Sequence, residues 1–202
     1  MMGVMSPAER TSGRRRDQHA DVAIMDAVLD LVSDGATLSG LSLVTIAKTA
    51  GVSRNSLYRR WKTKDALYLD VLGSINRNLP ELAGHSARQD VTALLAVLIE
   101  RVLDKRASHM LRAMNAEAGA FPELHRRYFE EIVAPRRDAM NRALSRGIAS
   151  GEIRPDIDPD ILSEVLVSPV LARMASGNTE DLDPAQTSRS IVALVFAGAQ
   201  PR

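Results

Sequence analysis

The sequence predicts an all-α fold in two parts, a small N-terminal domain and a larger C-terminal helical one, with about nine helices. Three observations carry this. Apolar residues recur at helical spacing along most of the chain. No segment sustains the alternation a half-buried strand requires. Glycine, proline and short capping side chains fall between the periodic stretches, where helices start and stop.

Residues 1–16 are polar and irregular, with Arg10 and the run Arg14, Arg15, Arg16, and are expected to form a flexible basic arm. The first helix is expected over Asp17–Asp34, with Ala20, Ala23, Ile24, Ala27, Val28 and Leu31 as its apolar stripe. Asp17, Asp21, Asp26, Asp30 and Asp34 spread over its remaining surface. Gly35 ends it, and Ala36 to Leu41 reads as a loop.

Two short helices follow. Ser42 can cap the first by accepting a bond from an orphan N–H of the opening turn, and Leu43, Ile46, Ala47 and Ala50 make its apolar face. Gly51 stops it, because glycine reaches the left-handed conformation at little cost. Ser53 caps the second, Arg54 to about Trp61, which Val52, Leu57 and Trp61 would lock inward. Its outward face is then Arg54, Asn55, Ser56, Tyr58, Arg59 and Arg60. Such a row suits the major groove of double-stranded DNA: arginine grips guanine O6 and N7 together, and asparagine grips adenine N6 and N7. Tyr58, Arg60 and Lys64 suit phosphate oxygens, and Thr63 is expected to cap the next helix beside Lys64. From Gly35 to Lys64 the charged residues are Lys48, Arg54, Arg59, Arg60, Lys62 and Lys64, all basic. The chain's net charge is only +1, so nucleic-acid binding has to come from this local charge.

The stretch IAKTAGVSRNSLYRRWKTKDAL resembles the helix-turn-helix signature of the tetracycline-repressor (TetR/AcrR) family of bacterial transcription regulators. The resemblance implies that Ser42 and Thr45 contact the DNA backbone. Ser53, at the cap, and Arg54, Asn55, Ser56, Tyr58 and Arg60 would lie at the recognition helix's contact positions, with Arg59 beside them. Lys64 would bind phosphate. Trp61 stands where a phenylalanine is common, and the segment from Gly35 to Ser42 is about two residues longer than usual. The DNA-binding domain is expected to span residues 17–79 and the C-terminal domain residues 80–202.

Asp65 to about Leu79 continues as a helix through Leu67, Tyr68, Val71, Leu72 and Ile75, with Pro80 and Gly84 marking the boundary. Further helices are expected over Ala87–Arg106 and Ala107–Gly119, and from Pro122 through Ile148 with a kink at Pro135. Two more are expected over Asp158–Ala175 and from the Asp183 cap and Pro184 through Phe196. These last two are apolar on more than one face, which points to a subunit interface in a homodimer. The stretch from FPELHRRYF to SEVLVSPVL is similar to the C-terminal domain of a subgroup of the same family, which dimerises through its last helices. The resemblance also implies an apolar effector pocket among the middle helices, with Met110, Met114, Phe121, Tyr128 and Phe129 as candidate lining residues.

Composition narrows the alternatives. Apolar residues make up 45% of the 202 and aromatics 3%, so the core is aliphatic. Without cysteine there is no disulfide framework and no thiolate or cysteine-metal chemistry. No apolar run approaches a membrane span, no signal core opens the chain, and a cytoplasmic location is expected. His19, His85, His109 and His125 form no HExxH set, although His109, Glu117 and His125 could converge; no metal or cofactor is expected. No phosphate loop, GxSxG or other catalytic constellation is present. The reading is therefore a ligand-responsive repressor on a palindromic operator rather than an enzyme. Its rivals are a small helical enzyme or carrier for an apolar ligand and a nonspecific architectural DNA binder, the latter disfavoured by the near-neutral charge.

Overall fold

The structure is a computed structural model that describes residues 7–76 and 79–199, with side chains described from residue 18. Among the described residues all regular structure is helical. The order is α1 (Pro7–Ser33), α2 (Leu43–Thr49), α3 (Arg54–Arg60), α4 (Lys64–Ser74), α5 (Ala87–Leu103), α6 (Lys105–Ala116), α7 (Pro122–Tyr128), a π-turn (Phe129–Val133), α8 (Ala134–Ser150), α9 (Pro159–Ser176) and α10 (Pro184–Ala199). With α7, the π-turn and α8 taken as one continuous rod, there are nine helices among the described residues.

Local chemistry sets most of the helix starts. Ser42, Ser53 and Thr63 accept from the amides three residues on, Thr45 at 3.0 Å, Ser56 at 3.1 Å and Ala66 at 3.2 Å. Asp158 accepts from the Asp160 amide and Asp183 from the Gln186 amide, capping α9 and α10 with proline in the first turn. Gly51 has φ +66 between α2 and α3, and the amide of Val52 returns to the carbonyl of Ala47 at 3.0 Å, which closes the turn.

Three boundaries differ from expectation. Helix α1 begins at Pro7, not Asp17, so residues 7–16 are helical; residues 1–6 of the expected arm lie outside the described residues. Ala8, Glu9, Arg10 and Arg14–Arg16 are good helix formers, but they carry no apolar stripe to betray the period. The break between α5 and α6 falls at Asp104, ahead of the expected Arg106, because its carboxylate accepts the amide of Ala107 at 3.1 Å and caps α6. At Pro135 the rod continues: the π-turn lies just before the proline, in the second position of α8, and absorbs the missing backbone donor.

Two cores result. The first gathers Ile24, Val28, Ile46, Leu57, Trp61, Leu67, Tyr68 and Leu72 from α1–α4, and draws in Met110, Met114, Leu124, Tyr128 and Ile132 from α6, α7 and the π-turn. The second packs α8, α9 and α10 around α5, with Leu95, Ile99, Leu144, Leu166 and Phe196 at its centre. Glu152, beyond α8, accepts from the Ala87 amide at 3.0 Å, the Arg88 amide at 3.3 Å and the Ser86 hydroxyl at 2.9 Å, and so fixes where α5 starts. The crossing of α5 and α8 is tight: a Cβ on buried Gly147 would lie 2.6 Å from that of Ala87 and 2.9 Å from Ile153 Cδ1. Gly147→Ala is therefore expected to lower stability by about 1–2 kcal/mol, overpacking outweighing alanine's helix preference, and a fall in the denaturant midpoint checks it.

Candidate nucleic-acid interface and internal cavity

The reading surface grows out of the caps. Ser42, Thr45, Ser53, Arg54, Asn55, Tyr58 and Arg59 are exposed on α2 and α3, and Ser56 is half-buried among them. The Ser42 and Thr45 hydroxyls are 2.8 Å apart. Leu57 is fully buried, and the Trp61 ring donates its N–H to Asp70 of α4 at 2.7 Å, so both ends of α3 are anchored. A short helix held this way presents its outer residues with little freedom, which favours base readout.

Two basic residues expected at phosphate, Arg60 and Lys64, also have partners inside the chain. Arg60 pairs with Asp21 of α1 and donates to the Ser56 carbonyl at 2.9 Å, leaving its side chain 12% exposed. Lys64 donates to the carbonyls of Leu38, Ser39 and Leu41 at 3.1, 2.9 and 2.6 Å. The aspartates of α1 are likewise used within the chain, since Asp26 and Asp30 hold Arg106 of α6, each at 3.0 Å.

Lys64 is one of three groups on the turn before α2. Glu117, just past α6, accepts from the Leu38 amide at 2.6 Å, the Ser39 amide at 2.9 Å and the Ser39 hydroxyl. Tyr68 of α4 donates to the Leu38 carbonyl at 2.8 Å, and Phe121 packs edge-on against its ring with centroids 5.8 Å apart. Burial, with the Glu117 and Asp65 charges added, pushes the Tyr68 phenol well above its usual range. Glu117, between His109 of α6 and His125 of α7, completes the set that could converge on a metal. Its carboxylate instead serves this turn, and among the described residues no three such side chains gather.

A cavity of about 510 Å³ lies between the second core and the α6–π-turn face. Its walls are largely aliphatic, from Leu94, Leu98, Leu111, Met140, Val167 and Leu171, with Tyr128 and Phe129 as expected. Met110, Met114 and Phe121 are not on its wall: the methionines are buried against α1 and α4, and Phe121 packs beside Tyr68. The reason is helical phase, since Leu111 and Asn115 of α6 face the cavity, roughly a quarter turn from Met110 and Met114. Sequence reasoning missed Arg101, Arg136 and Asn76 on the same wall. Arg101, between Leu98 and Val102 in an apolar stripe, was the available signal.

A helix-turn-helix with an exposed second helix, joined to a helical domain with a partly open, largely aliphatic cavity, defines a DNA-binding regulator. Residues 38–71 match the family described as bacterial regulatory proteins, tetR family, and residues 84–195 match the tetracyclin repressor-like C-terminal domain. The chain belongs to the tetR family of bacterial transcription regulators and is not an enzyme. No curated protein matches the sequence. Among solved structures, a chain assigned to the TetR family from Rhodococcus sp. is 22% identical, with 90% of this chain and 98% of that one aligned at a TM-score of 0.71. FadR from Bacillus subtilis, in complex with stearoyl-CoA, is 17% identical over 89% and 99%, with a TM-score of 0.70. SmeT, in complex with triclosan, is 19% identical over 90% and 92%, with a TM-score of 0.67. At these identities the likeness is one of fold. No helix among the described residues is long and apolar enough to cross a membrane.

The Glu117 contacts carry a pH dependence. Burial pushes its carboxyl up, but the Ser39 hydroxyl, the two amides and the Lys64 charge outweigh it and hold the group below its ordinary 4.5. A depressed carboxyl contributes stability that is complete above the unfolded value and is lost as pH falls through the folded one. Glu117→Gln should therefore lower the unfolding free energy at neutral pH by about 1–2 kcal/mol. The gap to the parent protein should close below pH 4.5; unfolding curves across acid pH check both.

Proposed function

We propose that the protein is a homodimeric, ligand-responsive repressor acting in the cytoplasm, which binds a palindromic operator through α3 of each subunit and leaves it when the cavity fills. Arg54 and Asn55, in the exposed first turn of α3, read base edges. Ser42, Thr45, Ser53, Ser56, Tyr58 and Arg59 contact the backbone or flank the readout. Arg60 and Lys64 act at one remove, by holding α3 to α1 and the 38–41 turn to α4. The half-sites lie about 34–36 Å apart, or a small multiple of that.

The observation that carries this reading is the placement of α6. One face, Leu111 and Asn115, is cavity wall; another, Met110 and Met114, is packed against the DNA-binding helices; and Glu117 past its end grips the turn that leads into α2. An occupant that displaces Leu111 or Asn115 moves both the packing and the grip, and so changes the spacing of the two α3 helices. A coupling of about 1–3 kcal/mol is typical of such devices. Stearoyl-CoA and triclosan accompany two chains of the same fold, which supports an effector of substantial apolar character.

The dimer reading rests on α9 and α10. Ile161, Val165 and Leu194 are exposed, Leu194 by 77%, although both helices are otherwise core-forming. Leu194→Asp together with Ile161→Asp should raise the dimer dissociation constant at least about tenfold, read by sedimentation equilibrium. A monomeric parent protein would contradict the reading. On DNA, Arg54→Ala is expected to cost about 1–3 kcal/mol and to relax specificity at one base pair, whereas Tyr58→Phe weakens all duplexes alike. Gel shifts on operator and scrambled duplexes separate the two, and equal losses on both duplexes for Arg54→Ala defeat base reading.

A further inference from the structure

The cavity wall is largely apolar, and among its polar residues, which include Asn76, Asn115, Arg137, Ser163 and Glu164, one pair stands out. Arg101, in the last turn of α5, and Arg136, in the first turn of α8, both line it. Arg101 donates to the Asn76 side-chain oxygen, and Arg136 donates to the Ile132 carbonyl at 3.1 Å. Those bonds leave Arg101 Nε and both Nε and Nη2 of Arg136 buried with no hydrogen-bond partner among the described residues. Other arginines whose buried Nε makes no hydrogen bond differ in one respect: Arg106 is ion-paired with Asp26 and Asp30, and Arg154 with Asp156. Arg101 and Arg136 have no carboxylate partner among the described residues. Glu164, the carboxylate on the cavity wall, is exposed and bears on Arg137, which is itself paired with Asp160 at 2.8 Å.

The electrostatics agree with the geometry. Burial, then the charge of Arg136, pushes Arg101 down to about 10, so it is still a cation at neutral pH. Burial lowers Arg136 as well. The Tyr128 phenol is raised by burial while both guanidinium groups pull it down, so it stands near the two as a neutral hydroxyl. Two half-buried like charges with no carboxylate partner among the described residues are a costly arrangement. An anion between them satisfies the free donors and cancels the repulsion, and guanidinium groups suit planar carboxylates and phosphoryl oxygens.

Resting on the reading that this cavity is the effector site, we propose that its ligand is an amphipathic anion, whose carboxylate or phosphoryl head is held by Arg101 and Arg136 and whose apolar body lies along Leu94, Leu98, Met140 and Val167. The volume suits this, since pockets of about 300–1,000 Å³ hold molecules of drug or fatty-acid size. Asn76, through its bond to Arg101, places that guanidinium at the junction of the DNA-binding and C-terminal domains. The ligand's head therefore sits at the junction and its body in the second core.

Calorimetric titration of the full chain, without DNA, tests the assignment directly. The probes are octanoate, dodecanoate and hexadecanoate, each against the alcohol of the same length, with dodecyl phosphate for the other head group. At least one carboxylate or the phosphate should bind about tenfold or more tightly than its alcohol. Arg101→Met and Arg136→Met should each abolish that preference and leave alcohol binding unchanged or stronger, while Arg101→Lys retains part of it. Alcohols that bind the parent protein as tightly as the anions, no binding by any of the anions, or a preference that survives both methionine variants would overturn the proposal. Should one methionine variant fail to fold, as judged by circular dichroism, the other variant and the parent's ligand series still decide. A gel shift with the bound anion separates this from the regulatory reading: arginine-dependent binding that leaves the operator complex intact keeps the anion site and removes the effector role.

Discussion

The molecule turns on a carboxylate at the end of α6. Glu117 takes two consecutive backbone amides of the turn that feeds α2, while Lys64 and Tyr68 take the carbonyls of the same turn. A segment with no regular structure of its own is thereby satisfied by charged and phenolic groups from two directions. Charge-assisted bonds of this kind are directional and stronger than neutral ones, so the grip fixes orientation as well as contact. Once the turn is set, Ser42 starts α2, Gly51 turns the chain, and Leu57 and Trp61 seat α3 with Arg54 and Asn55 outward. The aim of the reading helix thus depends on where α6 ends.

That dependence joins the two domains. The first core is not closed by α1–α4 alone; Met110 and Met114 of α6 complete it, and Arg106 ties α6 to Asp26 and Asp30 of α1. The same helix is wall to the cavity through Leu111 and Asn115. A close-packed interface does not deform smoothly but shifts between arrangements, so a helix shared in this way is suited to carry a binding event across the boundary. Cavity chemistry then decides what the event is. Two arginines without counter-ions, beside aliphatic walls, ask for both a negative head and an oily body.

What the sequence made legible was local. The caps at Ser42, Ser53, Thr63 and Asp183, the turn at Gly51 and the inward Leu57 and Trp61 all lie within a few residues of what they act on. What it hid was distant. The intrachain partners of Lys64 and Arg60 lie 23–39 residues away, beyond the reach of a local pattern. Glu117 is separated from Leu38 by 79 residues, and nothing near it hints at the turn it holds. Met110, Met114 and Phe121 were chosen for chemical type, but helical phase turned the methionines toward α1 and α4 and left Tyr128 and Phe129 on the wall. The arginines that mark the cavity carry no local signal, because charge in a helix is usually solvated, and only the packed structure shows theirs half-buried on a cavity wall.

The most direct test of the grip is amide exchange at Leu38 and Ser39, followed together with operator affinity in the parent protein and in the Glu117→Gln variant. The account predicts that both amides exchange faster in the variant, that helix content is unchanged, and that operator affinity falls because α3 is no longer held at its angle. Exchange at the parent rate, or full operator affinity despite a loosened turn, would contradict it.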